Sequence, residues 1–114
     1  MRNATVDAIE MFAYLKFFPT VRSVIEEHLP TRDRVRSTFE EAGFHTIAHR
    51  IVSHQNSADW VSFAEQLSLR SDSFLARIPD DAFDAGIAAL RRFARSVEPG
   101  RPVIEDVDFF VFQR

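Results

Sequence analysis

The sequence predicts an α+β domain, mostly helical, with four to six helices and two antiparallel strands at about 44–54 and 103–113. Three observations support this. Five prolines, with Gly43 and Gly100, cut the chain into five or six segments. Several segments repeat apolar residues at helical spacing. Two others alternate, and carry the β-branched and aromatic residues that suit strands.

The first element is expected from Thr5 to Phe18. Thr5 is its N-cap candidate, with Asp7 and Glu10 favouring the positive end of the helix dipole. Val6, Ile9, Phe12 and Ala13 form one stripe. From Met11 onward the stripe widens through Tyr14, Leu15, Phe17 and Phe18 to cover most of the circumference, the mark of a helix buried on several sides. Pro19 ends it. Val21 to Leu29 is a short second helix before Pro30. Thr31 caps the next, with Val35, Phe39 and Ala42 on one face and Gly43 as the left-handed stop. Phe44 to His54 reads as a strand. Ser57 is expected to cap a helix carrying Trp60, Phe63, Ala64 and Leu67. A short helix around Ser71 to Ile78 follows. Asp80 or Asp81 caps a long helix whose stripe is Phe83, Ile87, Leu90, Ala94 and Val97. The last strand puts Val103, Glu105, Val107, Phe109 and Val111 on one face, and Ile104, Asp106, Asp108, Phe110 and Phe112 on the other. From Phe109 to Phe112 both faces are apolar, as in a strand covered on both sides.

Length and composition bound the function. The 114 residues make a single domain, 1–114, with 46% hydrophobic and 27% charged residues, which is globular composition. A net charge of −3 argues against duplex nucleic acid as a partner. No apolar run approaches the roughly 18 residues of a membrane span, and no signal-peptide pattern opens the chain. With no cysteine, disulfides, thiolate metal sites and Cys nucleophiles are excluded. A cytoplasmic location is expected. Lys16 is the only lysine among 14 basic residues, and 12 residues are Phe.

A two-stranded ribbon is marginal alone. The last strand looks central yet has at most one neighbour, and the first helix looks buried on more sides than so short a chain covers. A second copy of the chain or a different subunit is therefore expected against Phe12, Phe17, Phe18, Phe110 and Phe112. A compact helical monomer with a Phe-rich core is the plain alternative.

Several segments resemble a known family in order and spacing. They are Phe17-Phe18-Pro19, Pro30-Thr31-Arg32, Phe39-Glu40-Glu41-Ala42-Gly43-Phe44, Leu69-Arg70-Ser71-Asp72-Ser73-Phe74-Leu75, Asp81-Ala82-Phe83-Asp84-Ala85-Gly86-Ile87, and Pro102-Val103-Ile104-Glu105-Asp106-Val107-Asp108-Phe109. Together they resemble the C-terminal third of class I S-adenosylmethionine-dependent methyltransferases of the small-molecule type, one bacterial subgroup in particular. The resemblance implies the last third of a Rossmann-like fold, with the final strand antiparallel between two others. In that family a Gly-rich loop and an acidic residue early in the fold hold the cofactor. Here Gly43, Gly86 and Gly100 are far apart and form no such loop. The expectation is therefore a methyltransferase-like C-terminal domain with no cofactor site of its own, acting as a binding or oligomerisation module. S-adenosylmethionine enters only if a partner supplies the core. The alternatives are the substrate-side part of a methyltransferase completed by such a partner, or a decayed gene product.

The resemblance places Arg70, Asp72 and Ser73 near the substrate side. Their residue types equally suit a helix cap, with Ser71 as N-cap and Arg70 pairing locally. His45 and His49 fall on one face of the predicted strand, with His54 and His28 further off. Spaced about 13 Å apart they do not share a metal ion, so solvated or hydrogen-bonded histidines are expected. Glu105, Asp106 and Asp108 read as polar residues at the solvated start of the last strand. Arg91, Arg92 and Arg95 read as a solvated helix face. No metal, nucleic acid or membrane is expected.

Overall fold

A computed structural model describes residues 2–3 and 5–114, with side chains from Thr5 onward. Among these residues the chain forms four α-helices and one antiparallel sheet. The elements are β1 (Arg2–Asn3), a 3-10 segment (Val6–Met11), α1 (Val21–His28), α2 (Arg32–Glu41), β2 (His45–Ser57), α3 (Trp60–Ser68), a 3-10 turn (Leu75–Arg77), α4 (Asp80–Ser96) and β3 (Val103–Gln113). The sheet order is β1-β3-β2. Besides the two expected strands there is thus a short third, pairing Arg2 with Phe109 and Asn3 with Asp108. This makes β3 central. It is antiparallel to both neighbours, so β1 and β2 run parallel to each other.

The first expected helix does not form. The 3-10 segment ends at Phe12, whose backbone is extended (φ −67°, ψ 119°), and Ala8 is already non-helical. The Thr5 side chain makes no cap; its hydroxyl donates to Asp108 instead. The Val6 amide goes to the Pro30 carbonyl (3.0 Å), and the Asp7 carboxylate accepts from the Arg32 amide (2.9 Å). These long-range bonds replace those that would start an α-helix. A bent segment also lets Ile9, Tyr14, Leu15 and Phe18 enter one core, which a straight rod apolar on every side could not do in so small a chain.

Helix α2 follows expectation. Thr31 accepts from the Arg34 amide at 3.0 Å, and Gly43 (φ +93°) turns the chain into β2. The strand β2 runs on to Ser57, paired with Val103, so Asp59 rather than Ser57 caps α3, accepting from the Ser62 amide at 2.6 Å. Ser71–Ile78 is only a 3-10 turn, held by Asp72 accepting from the Phe74 and Leu75 amides (2.9 and 3.1 Å). Asp80 and Asp81 stand in the first turn of α4 without capping it; Pro79 holds the cap position.

Two bulges interrupt β2, between Thr46 and Ala48 and between Gln55 and Ser57. The first flips the strand's faces, so His45 sits opposite Gln113 and His49 opposite Phe110, on opposite sides of the sheet. The expected shared face of His45 and His49 is therefore lost. Burial on β3 also changes sides: Val103 is enclosed at one end, Asp108 and Phe110 on the other face further along. The helical core of Phe18, Val21, Ile25, Leu75 and Leu90 gathers beside Val103, while α2 lies across the distal half of the ribbon, stacking Phe39 on Phe112 at 4.2 Å.

Phe18 and Phe110 were expected to face a partner. Both are fully enclosed within the chain. Phe12, Phe17 and Phe112 are half-buried.

Close packing makes two consequences measurable. A Cβ at Gly86 would overlap the Phe18 ring and lie 2.8 Å from the Phe17 carbonyl oxygen. Gly86→Ala is expected to cost about 1–3 kcal/mol by overpacking in a denaturant titration. Phe110→Ala is expected to cost about 3–5 kcal/mol, and Phe112→Ala clearly less because its ring keeps solvent contact.

Candidate functional site

The chemistry-bearing side chains collect in two places: a closed polar hub on β3 and an open cleft at the start of the same strand.

The hub is Asp108, fully buried. Its Oδ2 accepts from the Thr5 hydroxyl (2.5 Å), and its Oδ1 from Arg32 Nε (2.8 Å) and His49 Nε2 (2.6 Å). Arg36 Nη2 lies 3.4 Å from His49 Nδ1. A guanidinium only donates, so Nδ1 accepts and the imidazole carries its proton on Nε2, toward Asp108. Burial pushes the Asp108 carboxyl up, but the bonds from Thr5, His49 and Arg32, with the Arg32 charge, outweigh it and hold the group below its usual range. Asp108 is thus not a solvated strand residue. The paired bonds to Thr5 and His49 lie out of reach of sequence patterns, because both partners are distant and the bulge sets the face of His49. No buried side-chain nitrogen or oxygen among the described residues lacks a partner, so the hub works as a structural tie.

The cleft lies beside the start of β3 and the end of β2, under the N-terminal segment. Its larger part is an open groove of about 550 Å³ walled by Met11, Phe12, Leu15, Lys16, Trp60 and Ile104. A smaller cavity of about 140 Å³ adjoins it, walled by Thr5, Ala8, Phe12, Asn56, Glu105 and Val107. Phe12 belongs to both. Its ring is held edge-on by Tyr14 (5.8 Å) and Phe74 (6.4 Å). Phe12 is also the residue of extended backbone at which the 3-10 segment ends.

Behind Phe12 sits an acidic group. Glu105 Oε2 accepts from the Ala13 amide at 3.1 Å, and the Tyr14 hydroxyl donates to Asp72 Oδ1 at 3.4 Å. Burial pushes the Glu105 carboxyl up; the Ala13 bond opposes this and the nearby Asp72 charge adds to it. The Tyr14 phenol is pushed far up by burial, then by the charges of Asp72 and Glu105. Glu105 therefore holds a proton to higher pH than an ordinary carboxyl, and Tyr14 stays a neutral donor.

Of the residues placed on the substrate side by resemblance, only Asp72 reaches this region. Arg70 turns away with a left-handed backbone (φ 53°), donating to the Leu75 and Ile78 carbonyls and to Asp80, its guanidinium 4.7 Å over the Phe83 ring. Ser73 is exposed. Arg91 pairs with Glu65 (3.6 Å), and Arg92 and Arg95 lie on the exposed face of α4. Among the described residues, no group of three His, Asp or Glu converges as a metal site would need.

Compared with protein-family models, curated proteins and solved structures, the chain matches none. The site is therefore read from its own geometry. The turns that leave β1 and β2, at Thr5-Val6 and Ala58-Asp59, contain no glycine. Neither turn is thus the Gly-rich loop by which the methyltransferases hold their cofactor. Among the described residues, no helix is long and apolar enough to cross a membrane.

Glu105 gives this region a pH signature. Its folded pKa lies above the ordinary 4.5, so protonation favours the fold. That contribution is complete below 4.5 and fades as the pH rises through the folded value. Asp108 acts in the opposite sense, its contribution fading only as the pH falls below 3.8. Glu105→Gln keeps an acceptor for Ala13 and removes the titration. Thermal melts at about pH 4 and about pH 7 are expected to show the wild type losing stability relative to Glu105→Gln on the alkaline side.

Proposed function

We propose that this chain is a methyltransferase-like C-terminal domain without a cofactor site of its own, serving in the cytoplasm as a non-catalytic binding or oligomerisation module. The observation that carries the reading is the cleft. It opens beside the start of β3 and the residues that follow β2, and its volume suits a small molecule. The strand order supports the resemblance: the last strand is antiparallel between two mutually parallel ones. The three glycines are spent elsewhere, Gly43 and Gly100 at left-handed turns and Gly86 against Phe18.

A second reading has its own support. The strand β3 is paired with β2 along its length but with β1 only at Asp108 and Phe109. Among the described residues, Val111 to Gln113 have no strand on the other side, and Val111 is 37% exposed. An edge of this kind accepts a further strand. On this reading the chain is the substrate-side part of a methyltransferase that a partner chain completes.

Calorimetry with S-adenosylmethionine tests the main reading. The isolated chain is expected to give no binding heat; micromolar binding would overturn the absence of a cofactor site. Heat that appears only when a copurifying partner is present would favour the second reading.

A further inference from the structure

We propose that the groove beside Trp60 binds a small amphipathic anion, an alkyl or aryl carboxylate whose apolar part lies along Phe12 and Trp60 and whose charge pairs with Lys16. The inference rests on the reading of the cleft as a binding site and names the ligand class.

Apolar surface at the mouth supports the first half. Met11 and Ile104 line the groove and are 46% and 47% exposed. Two large hydrophobic side chains left in water beside an aromatic wall mark a surface that gains by being covered. The wall itself is firm: Trp60 packs edge-on against Phe63 (5.7 Å) and Phe93 (4.9 Å), and Phe12 against Tyr14. A rigid aromatic wall orders little on binding, so more of the contact energy is kept.

Charge supports the second half. Three charged side chains line the groove: Glu10, Lys16 and Arg22. Arg22 is neutralised by Glu10, which it contacts directly, and also lies 3.7 Å from Glu26. Lys16 has no carboxylate partner among the described residues. Its ammonium lies over the rings of Phe93 (4.2 Å) and Phe17 (5.0 Å). Those rings hold the cation in place without cancelling its charge. The uncompensated charge on the groove is thus positive, in a protein whose net charge is −3. A cationic ligand is repelled by Lys16 and a neutral hydroxyl gains only a hydrogen bond from it, whereas a carboxylate gains an ion pair at the edge of an apolar surface.

Trp60 is the only tryptophan; it lines this groove and also a smaller cleft beside Arg95 and Val97, so the Lys16 variants assign its emission change to the groove. Octanoate, 1-octanol and octylamine share one chain length and differ in the charge of the head. Octanoate is expected to shift the Trp60 emission saturably at concentrations at least about tenfold below the other two. Lys16→Met should erase that advantage, Lys16→Arg should keep it, and added salt should shrink it. Far-UV circular dichroism checks the fold of each variant, and the Lys16→Arg and salt arms stand if Lys16→Met does not fold. If 1-octanol or octylamine matches octanoate, the anion assignment is overturned while the cleft still binds. If none of the three saturates, the reading of the cleft as a binding site falls with it.

Discussion

The Asp108 carboxylate is the constraint on which the rest of the structure depends. A fully buried carboxylate is tolerable only when its oxygens are occupied by donors. Here three donors come from three parts of the chain: Thr5 from the N-terminal segment, Arg32 from α2 and His49 from β2. With Asp108 on β3, the hub ties four elements. It also sets direction. Each donor must arrive at a given side of one small group, so hydrogen-bond geometry joins the Phe39–Phe112 stack in placing α2 across the ribbon, and sets Thr5 beside β3.

That tie shapes the cleft. Thr5 gives its hydroxyl to Asp108 and cannot cap a helix, so the segment behind it bends as a 3-10 turn and straightens at Phe12. The bend aims Phe12 into the space between the groove and the smaller cavity. It also brings Ala13 onto Glu105 and Tyr14 onto Asp72. One wall of the cleft is therefore the N-terminal segment, bent where an α-helix does not form; Trp60 and the start of β3 supply the rest.

The molecule is drawn out, which bears on partners. Its radius of gyration is 16.0 Å and its extents are 47 × 31 × 19 Å, where a compact chain of this length has roughly 13 Å. Its surface of 6987 Å² exceeds the roughly 6,400 Å² of a compact monomer of this mass. The excess lies with the ribbon, which has a helix over one face of its distal half. The outer edge of β2 is blunted by two bulges and the charge of Arg50, as free edges usually are. The far end of β3, Val111 to Gln113, carries neither device.

Much of the architecture was legible locally. Helices α2, α3 and α4 announce themselves by apolar stripes, the Thr31 cap and the Gly43 stop, and β3 by its alternation, because these signals depend on neighbours within a few residues. What escaped was long-range. Two residues near the start complete the sheet by pairing with residues more than a hundred positions away. A single extra residue in β2 moves His49 to the face of Asp108, and no spacing rule foresees a bulge. The Phe-rich composition by itself determined that there was apolar surface enough for a core; only the tertiary structure decided that Phe18 fills it, that Phe110 is buried on the other face of β3 and that Phe12 faces a cleft. Apolar burial is non-directional and can be counted from composition. Hydrogen bonds to a buried carboxylate are directional, and their partners are chosen by the fold.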